Sequence, residues 1–262
     1  MKLTFYKYQG TGNDFIMIDN RDNILSKNDT KLVNHLCDRK FGIGADGLIL
    51  LENSDDPKDD FKMVYFNADG NESSMCGNGG RCLVAFAKSL GIIGDSARFT
   101  AIDGVHEATV NDDIVSLKMQ EVNKISEEEG FVFLDTGSPH HVIFTEKVDE
   151  IDIKQKGSEI RYSNRYKAAN GTNVNFVEAV SKDTFLVRTY ERGVEDETLS
   201  CGTGVTAVAL AAFKSHRTNS NKIKLHTPGG KLSVSFYKNE NGFSDVWLSG
   251  PAKFVFKGEV VC

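Results

Sequence analysis

The chain has 262 residues, of which 40% are hydrophobic and 26% charged, a composition typical of one large or two ordinary globular domains and far from that of a disordered chain. The net charge of −6 and the scattered lysines and arginines argue against a nucleic-acid partner and favour a small-molecule ligand. Because neither a bilayer-spanning apolar run nor the apolar core of a signal peptide is visible, we expect a cytoplasmic protein without a membrane partner.

The first predicted strand ends in a glycine-rich turn, G-T-G-N-D-F at residues 10–15. This turn begins like a dinucleotide-binding fingerprint but lacks the third glycine and the apolar helix behind it, which argues against a nucleotide site. Asn13 is therefore either a polar ligand contact or a plain turn residue. Further along, the pattern L-V-N-H-L-C at 32–37 predicts an amphipathic helix.

The sequence then repeats itself with a shift of 125 residues, from Cys76 to Cys201. Residues 72–79 read E-S-S-M-C-G-N-G and residues 197–204 read E-T-L-S-C-G-T-G, so the glutamate, the cysteine and both glycines coincide. Chance similarity between glycine-rich turns does not account for a rare cysteine that matches together with three further identities. We therefore interpret the two halves as copies of one unit.

Each copy combines alternating strand patterns with one apolar helical stretch, at residues 81–90 and 205–214. Because a helix that is apolar on most faces is buried, we predict an α/β (α+β) fold of two pseudo-symmetric domains. Each domain is expected to be a curled mixed sheet around a central helix, with the active site in the cleft between them. The polar stretch 120–130 is the predicted linker. The predicted domains are 1–120 with 248–262, and 121–247.

The five cysteines do not form a disulfide or zinc pattern. Their odd number argues against a disulfide framework. Cys76 and Cys82 enclose five residues, an unusual spacing for zinc ligands, and no histidine cluster lies beside them. We therefore expect no metal site, and we interpret Cys37 and Cys82 as small core residues. Cys262 is terminal and uninformative.

The two C-G-x-G turns predict a proton-transfer site. A cysteine just before a helix N-terminus lies beside backbone N–H groups without an intrahelical partner, which bind a carboxylate and lower the pKa of the thiol. With Cys76 and Cys201 on the two sides of one α-carbon, a thiolate removes the α-proton while a thiol protonates the opposite face. This inverts the stereocentre. The plain alternative is that both cysteines are small hydrophobic residues at turns.

Other polar residues have both a functional and a plain explanation. His140 either pairs with a cysteine and sets its protonation state or is a surface histidine. Glu191 and Arg192 form either a surface ion pair or a site where the guanidinium binds a second carboxylate. Asn67 and Asn173 lie in short turns, where asparagine is common in any case.

At these residues the sequence resembles the diaminopimelate epimerase family. The matching segments span nearly the whole chain in family order: G-N-D-F at 12–15, F-N-A-D-G at 66–70, C-G-N-G-G-R-C at 76–82, G-S-P-H at 137–140, N-V-N-F at 173–176, and E-R-G at 191–193 through C-G-T-G at 201–204. The resemblance implies interconversion of LL- and meso-2,6-diaminopimelate in lysine biosynthesis, without pyridoxal phosphate or metal. It also implies two similar α/β domains, each a curled sheet around a central helix.

The resemblance also implies a role for each candidate site residue. Cys76 and Cys201 correspond to the two acid/base thiols, and His140 and Glu191 to residues that assist them. The positions that correspond to substrate contacts are Gly77, Asn78, Gly202 and Thr203 at the helix N-termini, and Asn13, Asn67, Asn173, Glu191 and Arg192 elsewhere.

Two departures from the family pattern concern the distal end of the substrate. Where some members have Gln after G-x-G-x-D, this chain has Gly47, and where some have Asn before Pro-His, it has Ser138. The reaction type is therefore better defined by the resemblance than the fine specificity.

Three alternatives stay open. Proline racemase-like enzymes share the two-cysteine chemistry, but a substrate without a second carboxylate does not need Arg192. A phenazine-biosynthesis-type isomerase shares the fold class and does not depend on paired cysteines. A non-catalytic small-molecule binding protein of the same fold is the third. The sequence leaves the oligomeric state open, a homodimer included.

Overall fold

The computed structural model describes residues 2–73 and 75–262. The chain divides into two compact units, Met1–Leu117 with Gly250–Cys262, and Lys118–Ser249. The helices are α1 (Thr30–Cys37), α2 (Gly77–Ser89), α3 (Ile153–Arg161) and α4 (Gly202–Lys214). The strands are β1 (Lys2–Gly10), β2 (Asn13–Asp19), β3 (Gly47–Glu52), β4 (Phe61–Asn67), β5 (Ser96–Ala101), β6 (Gly104–Asn111), β7 (Ile114–Lys118), β8 (Ile125–Glu128), β9 (Phe131–Asp135), β10 (Pro139–Thr145), β11 (Asn173–Ser181), β12 (Thr184–Glu191), β13 (Asp196–Thr198), β14 (Lys222–Thr227), β15 (Gly230–Asn239), β16 (Gly242–Pro251) and β17 (Lys253–Val261).

The strands of the first unit form a mixed sheet in the order β17-β1-β2-β3-β4-β5-β6-β7. The pairs β2–β3 and β4–β5 are parallel, and the other neighbours are antiparallel. Parallel neighbours need a crossover, and helices supply it: α1 lies between β2 and β3 in the chain, and α2 lies between β4 and β5.

The second unit repeats this arrangement with its own strands, in the order β8-β9-β10-β11-β12-β14-β15-β16. Here β10–β11 and β12–β14 are the parallel pairs, and α3 and α4 lie in the corresponding crossovers. Strand β17, from the C-terminus, takes the place in the first sheet that β8 takes in the second. The predicted fold class, a mixed α/β fold with a repeated domain architecture, is confirmed.

The central helices of the two units are equivalent. Both α2 and α4 have 13 residues, and their starts at Gly77 and Gly202 differ by the shift of the sequence repeat. Helix α4 is apolar on nearly every face and lies in the core of the second unit with strands on several sides. Cys82 on α2 and Cys37 on α1 are buried, and burial raises the pKa of both thiols to about 12. Their predicted role as core residues is confirmed.

The predicted linker at 120–130 is wrong. Residues Ile125–Glu128 form β8, which pairs with β9, and Val122 is buried and bridges to Phe243. The reason is that β8 lies at the edge of its sheet with mostly exposed side chains, and edge strands carry charged residues that prevent further pairing. Because of its glutamates, the sequence of β8 resembles that of a polar linker.

The helices are short. The longest in the described part of the chain, α2 and α4, have 13 residues, whereas a helix that crosses a bilayer needs about 20 apolar residues. Residues 2–73 and 75–262 thus include no helix able to span a membrane.

Candidate active site

The two repeated cysteines occupy the same local position, directly before a central helix. Cys76 precedes α2 with φ −92° and ψ 126°, and Cys201 precedes α4 with φ −116° and ψ 115°. Both are therefore extended N-cap residues beside the first turn of a helix. The N–H groups of that turn have no intrahelical acceptor and carry the positive end of the helix dipole, so an anion or a thiolate is stabilised there.

The second glycine of each C-G-x-G turn is closely packed. A Cβ atom at Gly204 would lie 2.7 Å from Asn175 Oδ1 and 3.3 Å from Cys201 Sγ, which leaves no room for a side chain. At the equivalent position of the first turn, a Cβ atom at Gly79 would lie 2.9 Å from Ile49 Cδ1. In both units the helix start thus packs closely against a side chain of a neighbouring strand.

In the first unit, the structure brings the predicted residues Asn13 and Asn78 together. The Asn78 amide donates a hydrogen bond to Asn13 Oδ1, and Asn78 Oδ1 accepts one from Arg81 Nη2 at 2.9 Å. Arg81 Nη2 also lies 3.1 Å from the acceptor Thr11 Oγ1. Helix α2 is thereby tied to the turn between β1 and β2, which carries Asn13.

Arg81 is a residue that the sequence analysis missed. Its side chain is fully buried, burial lowers its pKa, and within residues 2–73 and 75–262 it forms no ion pair with a carboxylate. The signal was present in the sequence, because an arginine stands at the start of a helical stretch whose next six residues are apolar. A cation at such a place needs a polar network, and Thr11 and Asn78 supply it.

Asn13 also contacts a cluster of charged side chains through its amide nitrogen. Asp46 Oδ2 accepts a hydrogen bond from Asn13 Nδ2 at 3.1 Å, and Arg39 bridges Asp46 to Asp14. Asp14 also pairs with the buried Lys7 at 2.8 Å. Burial raises the pKa of Asp14, but hydrogen bonds from Arg39 and Lys7 outweigh it and lower the pKa to about 2.

Asn67 stands apart from this network. It ends β4 as an exposed residue, its backbone closes a turn with Gly70, and its side chain forms no hydrogen bond to the described residues. It pairs across the sheet with Gly47, where a Cβ atom would lie 2.6 Å from both the Tyr65 ring and the Phe66 carbonyl oxygen. The Tyr65 ring therefore fills the space that a longer side chain at position 47 would enter.

In the second unit, His140 is connected to Cys201 through Thr203. His140 Nε2 lies 3.0 Å from Thr203 Oγ1, and Thr203 Oγ1 lies 3.4 Å from Cys201 Sγ. Burial, aided by the charge of Arg192, lowers the pKa of His140 to about 3, so the imidazole is neutral at pH 7. The contact between His140 and Thr203 is the counterpart in the second unit of the contact between Asn13 and Asn78 in the first.

Glu191, at the end of β12, forms a hydrogen bond with Cys201. Its Oε2 accepts a hydrogen bond from Thr198 Oγ1 at 2.9 Å. Burial raises the pKa of Glu191, and hydrogen bonds from Thr198 and Cys201 partly offset this rise. A half-buried carboxylate that accepts a hydrogen bond from the thiol is thus present beside the cysteine.

Arg192, Asn173 and Ser138 form a third group in the second unit. The Arg192 N–H donates to Asn173 Oδ1 at 2.8 Å, and Asn173 Nδ2 donates to Ser138 Oγ at 2.9 Å. The Arg192 guanidinium lies 3.4 Å from Ser138 Oγ and has no carboxylate partner in the described part of the chain. It is a cation available to an anionic ligand.

The described residues offer no metal cluster. Within 2–73 and 75–262, no group of three or more His, Cys, Asp or Glu side chains is placed to hold a metal ion.

The sequence is similar to known proteins over nearly its whole length. The family profile described as "Diaminopimelate epimerase" matches residues 5–125 and 132–255. A diaminopimelate epimerase of Flavobacterium psychrophilum is 59% identical over 258 residues, which cover 98% of this chain and 99% of that protein. A diaminopimelate epimerase of Aquifex aeolicus is 40% identical over 278 residues, with 98% of each chain covered.

Solved structures with the same fold are more distant in sequence. A phenazine biosynthesis protein of the PhzF family from Bacillus anthracis has a TM-score of 0.77 with 14% identity, and all of both chains is covered. A hydroxyproline epimerase from Agrobacterium vitis has a TM-score of 0.65 with 13% identity, covering 99% of this chain and 92% of that one. At these identities the likeness concerns the fold alone.

Proposed function

Because the chain belongs to the diaminopimelate epimerase family, we propose that it interconverts LL- and meso-2,6-diaminopimelate by means of two cysteines and without a cofactor. It is an isomerase, an amino-acid epimerase of lysine biosynthesis whose substrate is a small molecule. The observation that supports the two-cysteine chemistry is the equivalent setting of Cys76 and Cys201, each directly before the central helix of its unit.

In this proposal the two thiols serve one α-carbon. One sulfur, as a thiolate, removes the α-proton from one side, and the other, as a thiol, donates its proton to the other side. The electron pair of the broken C–H bond forms the new one, so the configuration inverts without an oxidant or reductant. Thiolate and thiol have then exchanged places, and the reverse reaction uses the same groups in opposite roles.

The helix starts hold the reacting end of the substrate. The backbone N–H groups of Gly77, Asn78, Gly202 and Thr203 bind the α-carboxylate and stabilise the negative charge that develops as the proton leaves. Glu191 accepts the proton of Cys201 and so prepares the thiolate, which its hydrogen bond with the thiol supports.

The distal end of the substrate is held by the remaining polar residues. The Arg192 guanidinium binds the distal carboxylate, and Asn13, Asn67 and Asn173 contact the rest of this end. The hydrogen bond from the Arg192 backbone to Asn173 supports a common site for these two residues.

The test is exchange of the substrate α-proton with solvent deuterium. The wild type is expected to incorporate deuterium into diaminopimelate and not into proline. Cys76→Ala and Cys201→Ala should each abolish epimerisation, whereas Cys262→Ala, which replaces an exposed cysteine, should not change it. Turnover that persists in either of the first two variants contradicts the two-thiol chemistry, and exchange of proline alone contradicts the substrate assignment.

Three further predictions belong to this proposal. The domains are 1–120 with 248–262 and 121–247, the enzyme is cytoplasmic, and it binds neither nucleic acid nor membrane. The negative net charge supports the absence of a nucleic-acid partner.

A further inference from the structure

A line of hydrogen-bonded side chains in the second unit ends at the Cys201 sulfur. It runs from Thr189 through Asn175 and His140 to Thr203, with successive distances of 3.0, 3.1 and 3.0 Å, and from Thr203 to the sulfur over 3.4 Å. The first three of these side chains are buried. Only His140 and Thr203 among them were candidates from the sequence, so Asn175 and Thr189 need an explanation.

The sheet register places Asn175 at the centre of this line. On one side, β11 pairs with β12 in a register that sets Asn175 opposite Thr189. On the other side, β11 runs parallel to β10, and Asn175 is set opposite Val142, two residues beyond His140. The amide of Asn175 therefore reaches the neighbouring strand on either side, and its burial forces it to use both contacts.

The direction of the hydrogen bonds follows from one backbone carbonyl. Asn175 Nδ2 lies 3.3 Å from the His141 carbonyl oxygen, which accepts but never donates, so this end of the amide is the NH2 group. The same nitrogen lies 3.1 Å from His140 Nδ1. Because Nδ2 donates, His140 Nδ1 must be the unprotonated acceptor. Asn175 Oδ1 is then the acceptor for the Thr189 hydroxyl.

The direction continues to the sulfur. A neutral imidazole with an unprotonated Nδ1 carries its proton on Nε2, so His140 donates to Thr203 Oγ1. The low pKa of His140 agrees with a neutral ring. With its oxygen accepting from His140, the Thr203 hydroxyl points its own proton at Cys201 Sγ. A hydrogen bond donated to the sulfur favours the thiolate form.

We propose, on the basis of the proposed epimerase function, that Asn175 is a positioning residue that fixes the Nε2–H tautomer of His140 and thereby directs the Thr203 hydroxyl to the Cys201 thiolate. Asn175 and Thr189 touch no substrate in this arrangement. Glu191 accepts the Cys201 proton, and Thr203 stabilises the sulfur after the proton has left. The other tautomer of His140 would accept at Nε2 and turn the Thr203 hydroxyl away from the sulfur.

The direct test is the tautomer of His140, read by nitrogen-15 NMR of the histidine side chains in the ligand-free wild type between pH 6 and 8. The His140 signals are assigned by their loss in His140→Asn. We expect an unprotonated Nδ1 and a protonated Nε2 throughout this range. A protonated Nδ1 overturns the proposal whatever the activity is. The tautomer does not depend on turnover, so a missing epimerase activity with the expected NMR pattern would refute the proposed function alone.

Variants connect the tautomer to catalysis. Asn175→Leu removes the amide at similar volume, and we expect His140 to lose its single tautomer and kcat to fall about 10- to 100-fold, the range for a hydrogen bond to a charged group. KM should stay within about threefold, since no substrate contact changes. Thr189→Val, a milder change, should lower kcat less and leave the fold intact. The matched control is Thr184→Val, the same substitution at another buried position of β12. We expect this control to leave kcat unchanged. An unchanged kcat in both Asn175→Leu and Thr189→Val contradicts the proposal.

Discussion

Replacement of Glu191 by glutamine separates a catalytic from a structural role at this position. The substitution keeps the shape of the side chain and the acceptor for Thr198, whose hydroxyl lies 2.9 Å from Glu191 Oε2. It removes only the negative charge and the ability to take a proton from Cys201. A positioned general base contributes about 10²- to 10⁴-fold to a rate, so we expect kcat/KM for diaminopimelate to fall by at least about 100-fold.

Although Glu191→Gln should lose activity, its folded state should be at least as stable as that of the wild type. Burial raises the pKa of Glu191 above 4.5, so the folded state favours the protonated carboxyl. A raised pKa contributes stability at low pH, and this contribution is lost as the pH rises through the folded-state value. At pH 7 the charged form therefore costs folding free energy, and Glu191→Gln removes that cost. We expect a melting temperature equal to or above that of the wild type.

The pH profile supplies the third measurement. In the wild type, kcat/KM should fall below a pH set by the raised pKa of Glu191, because the protonated carboxyl no longer accepts the Cys201 proton. This acidic limb should disappear in Glu191→Gln. The matched control is Glu197→Gln, on the adjacent β13, whose carboxylate pairs with Arg188 at 2.7 Å. That variant should lose a little stability and no activity. Activity within threefold of the wild type in Glu191→Gln would refute the assignment of Glu191 as the base.

Three further outcomes follow from the contacts in each unit. Arg192→Lys should raise KM for diaminopimelate about tenfold or more with a smaller change in kcat, measured by steady-state kinetics, because a lysine does not reproduce a bidentate guanidinium contact. Asp14→Asn should lower the free energy of unfolding by about 1–2 kcal/mol at pH 7. The difference from the wild type should vanish as the pH falls from 4 toward 2, because the folded-state pKa of Asp14 is about 2 and its carboxylate becomes protonated there. Leu210→Ala, in the core of the second unit, should cost about 2–5 kcal/mol in urea unfolding, whereas Leu199→Ala, half exposed, should cost little.

The repeat made much of the fold predictable from the sequence. The match around Cys76 and Cys201 fixed the equivalence of α2 and α4, and the alternating patterns placed strands around them. The same reasoning failed at β8, because the short-range pattern of an edge strand with exposed glutamates is indistinguishable from that of a polar linker. The alternation of apolar and polar residues in a sequence shows which face of a strand is buried. Because nearly all side chains of β8 are exposed, β8 shows no such alternation.

Site residues of a rare type, such as cysteine, could be predicted from the sequence. Site residues whose role depends on the register between neighbouring strands could not. The first residue of each C-G-x-G turn is a cysteine, and its position directly before a helix can be recognised from the local sequence. Asn175 does not, because its role depends on lying opposite Thr189 on one strand and near His140 on another. Arg81 lies between these cases: its charge in an apolar helix was visible, but its partner Thr11 is 70 positions away in the chain.

The differences between the two units follow the asymmetry of the proposed substrate. The reaction at the α-carbon is nearly symmetric, and the features that serve it are repeated: a cysteine, a glycine turn and a helix start. The distal end is present once, so the residues that bind it have no reason to be repeated. With the shift of 125 residues, Glu191 and Arg192 correspond to Phe66 and Asn67. The histidine–threonine contact at the start of α4 has an asparagine pair as its counterpart at the start of α2. Only one end of the diamino diacid reacts, so its two ends need different side chains, and the side chains at equivalent backbone positions of the two units differ accordingly. The backbone that presents the two thiols is the same in both units.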